Sequence, residues 1–244
     1  GLISKYGSAL DYDITLPGAA RRDANGVPRA LRVDTSFTAF RQAAYAQTSL
    51  QLNDRVRLTL GARGDYYAFL RDAVRIAPRS ALAWSVDDAN TLTLSAGQYY
   101  QAPQPIWLVG DPQNVRTLNP LRADQIVGGW QRLLRPDLKL QVEGYVKEYR
   151  DYPGRAFRPR AVLQPSGFDD VTNDIPYGLE PLLGTARGSV RGAEILLQKR
   201  LSDVPLYGLI SASYNRTRFR GLDGSTSIGA FDSPLVFNGL LGWR

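Results

Sequence analysis

Apolar and polar residues alternate one for one along much of the chain. In residues 55–66, Val56, Leu58, Leu60, Ala62, Gly64 and Tyr66 fall on one face, and Arg55, Arg57, Thr59, Gly61, Arg63 and Asp65 fall on the other. A period of two is the signature of a β-strand whose faces meet different surroundings. The alternation recurs in residues 91–99, 138–149 and 206–215, where Leu92, Leu94, Leu140, Val142 and Ile210 oppose Thr91, Thr93, Lys139, Gln141 and Ser211. Weaker strand patterns cover residues 36–52, 77–87, 121–135, 187–201 and 235–244. The pattern predicts about nine strands, many of roughly 10–15 residues, whereas globular strands average ~5–6.

The connections between these strands are of two kinds. Asn53-Asp54, Asp87-Asp88-Ala89-Asn90, Arg135-Pro136-Asp137 and Ser202-Asp203-Val204-Pro205 have the composition of tight hairpin turns. Residues 101–120, 153–186 and 220–234 are long joins rich in Pro, Gly, Asp and Asn. Short turns therefore gather at one end of the sheet and long loops at the other. Compact soluble domains seldom repeat long structureless loops, whereas outer-membrane barrels show this asymmetry. Tyr66-Tyr67, Tyr99-Tyr100, Tyr145, Tyr149, Tyr152, Tyr214 and Trp243 lie near strand ends. Amphipathic rings suit a membrane–water interface, although Tyr is also an ordinary strand former. No run of about 18 apolar residues marks a transmembrane helix, which leaves a barrel open.

Composition narrows the chemistry. The chain has 244 residues, 43% of them hydrophobic and 22% charged, with no Cys, no His and no Met. That balance excludes a disordered tail, a collagen and a disulfide scaffold. Without Cys and His there is no thiolate, no Ser-His triad and no imidazole metal ligand. Neither a G-x-S-x-G elbow nor a phosphate-cradling glycine loop before a helix is present. These absences argue against an enzyme and imply no cofactor. With no Met even at position 1, the sequence reads as a processed chain or a piece of a longer one. The formal net charge is +7, from 30 Lys plus Arg against 23 Asp plus Glu, and only four of the basic residues are Lys. The Arg residues are spread over alternating strand positions and loops. Lining of a barrel lumen accounts for them without a nucleic-acid partner.

Several blocks resemble a known family. Residues 52–66, Leu-Asn-Asp-Arg-Val-Arg-Leu-Thr-Leu-Gly-Ala-Arg-Gly-Asp-Tyr, resemble a barrel hairpin of the TonB-dependent outer-membrane receptors. The strand from Ala77-Pro78-Arg79 to Trp84, followed by Leu92 to Pro103 with Ser95, Gly97 and Tyr99–Tyr100, is similar to that family's paired "P-R" and "S-x-G-x-x-Y" strands. Asn119-Pro120-Leu121-Arg122-Ala123-Asp124-Gln125 resembles its "N-P-x-L-x-P-E" segment, with Ala123-Asp124 where Pro-Glu is usual. Val190-Arg191-Gly192-Ala193-Glu194 resembles its "G-x-E" strand, and Phe231 to Asn238 its "D-x-P-H-x-F-N" segment, with Leu235 where His is common. The order and spacing of the five blocks carry the resemblance over most of residues 40–244.

The resemblance implies an all-β fold: an antiparallel transmembrane β-barrel segment, residues 1–244 forming part of a barrel domain whose N-terminal plug and remaining strands are missing. As an isolated piece it is expected to be an open, curved sheet. It implies a bacterial outer-membrane receptor for TonB-dependent uptake of a scarce nutrient such as a siderophore, saccharide, peptide or vitamin. Implied partners are outer-membrane lipid and lipopolysaccharide, a small-molecule ligand, and the TonB complex through the missing plug region. The alternatives are a soluble all-β binding module, which must bury its apolar face under a second layer, and a small porin-like barrel. In a barrel the Arg and Gln faces point to the lumen: Arg55, Arg57, Arg63, Asp65, Lys139, Gln141, Glu143, Lys147 and Glu194. Leu58, Leu60, Leu92, Leu94, Leu140, Val142, Ala193, Ile195 and Leu197 then face lipid, since a lipid-facing Arg at mid-depth costs roughly 2–4 kcal/mol.

Substrate-binding candidates lie in the long loops. Trp107, Asn114 and Arg116 offer stacking and hydrogen bonding, and Arg150, Arg155, Arg158 and Arg160 offer guanidinium forks for an anionic ligand. The plain reading is that these loops are solvated and that Arg is simply abundant. Asp169, Asp170 and Asp174, with Asn173, form an oxygen-rich cluster of the kind Ca²⁺ prefers. Their spacing fits no EF-hand, and a solvated acidic loop is the plainer reading.

Overall fold

The computed structural model describes residues 2–15, 30–109, 111–156, 158–163, 180–230 and 232–244, with side chains described from Phe40 onward. One antiparallel sheet of twelve strands contains nearly all of the regular structure. In chain order these are β1 (Leu2–Thr15), β2 (Ala30–Asn53), β3 (Val56–Tyr67), β4 (Val74–Ser85), β5 (Asn90–Gln101), β6 (Leu121–Arg135), β7 (Leu138–Arg155), β8 (Arg158–Val162), β9 (Leu182–Lys199), β10 (Leu206–Arg220), β11 (Thr226–Ile228) and β12 (Val236–Trp243). Two short helices, α1 (Pro105–Val109) and α2 (Asn114–Thr117), occupy the loop between β5 and β6. Nine strands coincide with the sequence pattern. The other three are β1 and the short β8 and β11, which are too brief or too weakly patterned to stand out.

Neighbours in sequence are neighbours in the sheet, as hairpin connections require. The order runs β1-β2-β3-β4-β5-β6-β7-β9-β10-β11, with β8 beside β7 and β12 beside β10. No described pairing joins β1 to β11 or β12, so the sheet is open, as expected. The tight turns are closed by their own side chains. The Asn53 carboxamide oxygen accepts from the Arg55 amide at 2.9 Å, and Asp87 accepts from the amides of Ala89 and Asn90 at 2.8 and 2.7 Å. These Asx arrangements are why such residues mark turns.

Register fixes the faces. Residues directly opposite on paired strands share a face. Pairs such as Leu58↔Leu82, Leu82↔Leu94 and Val142↔Ile195 build an apolar face, and Thr59↔Ala81, Gln131↔Gln141 and Glu143↔Glu194 build a polar one. The two groups that alternation separates fall on opposite faces of the sheet for every strand residue named above. The apolar face has no second layer over it: Leu94 is 54% exposed, Ile126 56%, Ile195 46% and Ile210 62%. A soluble sheet of this size would cover that surface. The buried core sits instead at the long-loop end, where Tyr67, Trp107, Leu118, Tyr152, Leu182 and Phe219 pack together.

Candidate functional site: an aromatic bay on the inner face

The polar face carries an ordered cluster at its long-loop end, built on three successive rungs of β7, β9 and β10. Tyr149, Gly188 and Phe219 share the first rung, Lys147, Val190 and Thr217 the second, and Tyr145, Gly192 and Asn215 the third. The central residue of two rungs is glycine. With no side chain on β9, the flanking strands reach across it. The Tyr149 and Phe219 rings stack at 6.0 Å with an interplanar angle of 2°. A Cβ on Gly188 would lie 2.6 Å from the Phe219 ring. Two rungs down, the Asn215 carboxamide donates to the Tyr145 hydroxyl at 3.4 Å over Gly192.

A β-bulge completes the cluster. Tyr149 pairs with Gly188 but Tyr152 pairs with Ala186, so β7 spends one extra residue there. Asp151 absorbs the irregularity at φ 59°, a left-handed conformation that Asp tolerates better than most residues. The insertion reverses the parity of the strand, and Tyr149 and Tyr152 come to share the inner face. Tyr152 packs 5.2 Å from Tyr149 and 5.3 Å from Phe219.

Together these side chains wall a bay of about 680 Å³, lined among others by Tyr99, Gln101, Lys147, Tyr149, Asn215 and Phe219. Lys147 Nζ lies 5.0 Å from the Tyr145 ring centroid, a cation–π contact that holds a positive charge at the edge of an aromatic wall. Asp232, in the loop before β12, secures the β10 side. Its carboxylate accepts from the Thr217 amide at 2.6 Å and from Arg218 at 3.3 Å. The amide hydrogen bond, then the nearby Arg218 charge, holds its carboxyl below the usual range.

The loop residues singled out from sequence are dispersed. Trp107 is 1% exposed and packs in the loop core. Asn114 is fully buried: its Nδ2 donates to the Trp107 and Glu180 carbonyls at 2.6 and 2.8 Å, and its Oδ1 accepts from the Leu182 amide at 2.8 Å. These bonds tie α1, α2 and β9 into one unit and use the carboxamide's hydrogen-bonding capacity. Arg155 is buried in an ion pair with Glu180. Arg150 points to the outer face and lies 3.5 Å from Asp124. Arg158 begins β8, Arg116 is exposed on α2, and Arg160 is exposed beside Asp223 at 3.4 Å. The four arginines therefore form no single clamp, because strand parity and the bulge send them to different surroundings. Asp169, Asp170 and Asp174 lie outside the described residues. Among the described residues, no group of three or more acidic side chains is placed to hold a metal ion.

The aromatic residues divide in a way that alternation alone did not assign. Tyr66, Tyr100, Tyr214 and Trp243 are on the outer face, where an interfacial girdle belongs. Tyr67, Tyr99, Tyr145, Tyr149 and Tyr152 are on the inner face. The signal for the bay was present in the spacing Gly188-Ser189-Val190-Arg191-Gly192, two glycines on one face of one strand.

Comparison with known proteins places this architecture. The family model described as "TonB dependent receptor-like, beta-barrel" matches residues 2–243. Among solved structures, the FrpB iron transporter from Neisseria meningitidis superposes with a TM-score of 0.62 at 15% identity, over 86% of this chain and 31% of that one. The outer membrane transporter YddB from Escherichia coli gives 0.60 at 14% identity, over 97% and 34%. The ferripyoverdine receptor of the outer membrane of Pseudomonas aeruginosa, bound to ferripyoverdine, gives 0.62 at 12% identity, over 89% and 27%. At these identities the likeness is one of fold, and the chain spans about a third of each structure's length. No curated protein sequence matches.

Proposed function

Because the chain belongs to the TonB-dependent receptor-like β-barrel family, we propose that residues 1–244 are part of the barrel domain of a bacterial outer-membrane receptor. In this reading the receptor takes up a scarce nutrient by TonB-dependent active transport and performs no catalysis. The lipid-facing surface is the uncovered apolar face. The long-loop end is extracellular, following the loop asymmetry of outer-membrane barrels. The TonB complex acts through a plug that these strands surround, and outer-membrane lipid, with lipopolysaccharide, is the solvent of the outer face.

The observation that carries the reading to a ligand is the bay over Gly188. Its stacked rings offer flat apolar surface, and Lys147, Asn215 and Gln101 offer a cation and hydrogen-bond donors at the rim. Pockets of this size with a few convergent polar groups suit a small organic ligand. An anionic metal chelate with an organic shell fits both properties, and the iron-transporter and ferripyoverdine-receptor neighbours support that class. Exposed Arg116 and Arg160, on loops at the same end, are placed to meet such an anion as it arrives. The buried Trp107, Asn114 and Arg155 shape those loops.

Binding of a panel of ferric siderophores to the full-length protein tests this. Tyr149→Ala with Phe219→Ala is expected to weaken the best ligand about tenfold, the scale of a lost aromatic pair with its buried area. Lys147→Gln is expected to weaken anionic chelates selectively. Unchanged affinity in both variants would place the ligand elsewhere.

A further inference from the structure

Two cations on the inner face are mounted in the same way. Arg79 on β4, Gly97 on β5, Gln125 on β6 and Lys147 on β7 are consecutive partners on one rung. The Arg79 side chain fits between two glycines. A Cβ on Gly61 would lie 3.3 Å from its Cγ, and a Cβ on Gly97 would lie 3.2 Å from its Cβ. The Tyr99 ring lies down over the same Gly97, whose Cβ would come within 3.2 Å of the Tyr99 hydroxyl. The Arg79 guanidinium carbon is 5.6 Å from the centroid of that ring. On the other side, the Lys147 ammonium is 5.0 Å from the centroid of Tyr145. Tyr145 in turn lies over Gly192, where a Cβ would be 2.3 Å from the ring. Each unit is a cation resting on a tyrosine that rests on a glycine.

Both charges remain available. A ring quadrupole attracts a cation without cancelling its charge. Among the described residues no carboxylate forms an ion pair with Arg79 or Lys147. On this face the neighbours of Arg79 are Gly61, Gly97, Ala77 and Ala81, and those of Lys147 are Gln125, Val190, Tyr145 and Tyr149. The nearby acids of the same face are already engaged. Asp65 accepts from Arg41 and from Arg63, each at 2.8 Å, and Glu143, four residues along β7 from Lys147, accepts from Gln141 at 2.7 Å. The two units also flank the bay. Tyr99 and Lys147 line it, and Arg79 stands on the next strand, leaning toward Tyr99. The strands of the two cations are three spacings apart, roughly 14 Å at about 4.8 Å each, and the lean of Arg79 over β5 shortens the gap between the charges.

One cation beside an aromatic wall separates anionic ligands from neutral ones. Two cations held at a fixed separation on one rung also read how charge is spread over the ligand. We propose that Arg79 is a second anchor of the bay, and that Arg79 and Lys147 together select a ligand carrying at least two anionic groups on different sides of its organic shell. The Arg79 fork suits a pair of oxygens on one such group, and the Lys147 ammonium acts as a point charge on the other. Tyr99 and Tyr145 are positioning residues for the two cations, and Gly97 and Gly192 give those rings room to lie against the wall. The proposal rests on the reading of the bay as the ligand site and deepens it to the charge pattern of the ligand.

The test measures binding of two probes to the full-length protein, a polyanionic ferric tris-catecholate and a neutral ferric tris-hydroxamate. A charge-assisted contact is worth about tenfold in affinity. R79Q and K147Q are each expected to weaken the tris-catecholate about tenfold, and R79Q/K147Q about a hundredfold, because both charges are engaged at once. The tris-hydroxamate should bind all three variants within about twofold of wild type. R79K keeps the charge and is expected to recover most of the R79Q loss. R57Q removes the same charge lower on the same face and should leave both probes unchanged. Unchanged tris-catecholate affinity in R79Q, with a loss in K147Q, overturns the second anchor and leaves the bay in place. An equal loss for both probes in R79Q marks a packing role for Arg79 and also overturns it, as does a loss in R57Q as large as that in R79Q. Unchanged tris-catecholate affinity in both R79Q/K147Q and Y149A/F219A overturns the reading of the bay itself.

Discussion

Gly188 works by absence. Its missing side chain lets Tyr149 and Phe219 stack across β9, so the bay depends on a residue that touches no ligand. Gly188→Ala places a methyl group 2.6 Å from the Phe219 ring. Overpacking of this kind costs typically 1–3 kcal/mol. The variant is expected to melt at lower temperature and to lose ligand affinity along with Y149A/F219A. Arg155 and Glu180 make a second residue-scale case. Their side chains are 2% and 0% exposed, so the ion pair between them is out of contact with water. Glu180→Gln breaks this buried pair, and a loss of up to about 3–5 kcal/mol is expected. Replacing both, as R155M/E180L, should recover most of that loss in the same thermal denaturation assay. A selective effect of E180Q on ligand binding with unchanged stability would instead place Arg155 in the ligand site. Sequence reasoning chose Arg155, Trp107 and Asn114 for what their side chains can bind. It could not see that the loop would turn those groups inward on itself, because that depends on contacts such as Asn114 with Glu180 and Leu182, more than sixty residues away.

At the scale of elements, alternation made nine of twelve strands legible, because a strand between two different solvents writes its period into every second residue. The bulge at Asp151 was not legible. One extra residue reverses parity without altering the apolar count, which is why Tyr152 reads as a girdle residue and sits in the core. The short turns carry their own chemistry. Asp137, between β6 and β7, accepts from Lys199 Nζ and, at 2.8 Å, from Ser202 Oγ, so one carboxylate ties two adjacent turns together. The Lys199 hydrogen bond, then Ser202, lowers its pKa from 3.8 to about 2. A carboxyl depressed on folding contributes stability above its unfolded pKa and loses it as the pH falls through the folded value. The clamp is therefore expected to hold at neutral pH, weaken below about pH 4 and vanish near pH 2. Asp137→Asn should flatten that segment of the curve of melting temperature against pH. An identical acid limb in D137N would assign the acid sensitivity to other carboxylates.

For the whole molecule, the decisive property is which solvent each face meets, and adjacent residues on one strand can be made to report it. Leu94 and Ser95 are neighbours on β5, one pairing with Leu82 on the outer face and the other with Ala81 on the inner face. Leu94 is 54% exposed, so in water an Arg at that position would have room to hydrate its charge and would cost little. In a bilayer the same side chain faces hydrocarbon near mid-depth, where Arg costs about 2–4 kcal/mol. Ser95→Arg adds the same charge to a polar, hydrated face. The full-length protein, refolded from urea into vesicles, is expected to lose about 2–4 kcal/mol of folding free energy in L94R and less than about 1 kcal/mol in S95R. Equal and small effects would mean that water wets both faces, and the transmembrane reading would fall with the transport function built on it. A large cost for S95R alone would reverse the assignment of inside and outside. The bay over Gly188 would then face lipid. One pair of substitutions thus bears on the bay as well as on the membrane reading, because both follow from the same parity along the strands.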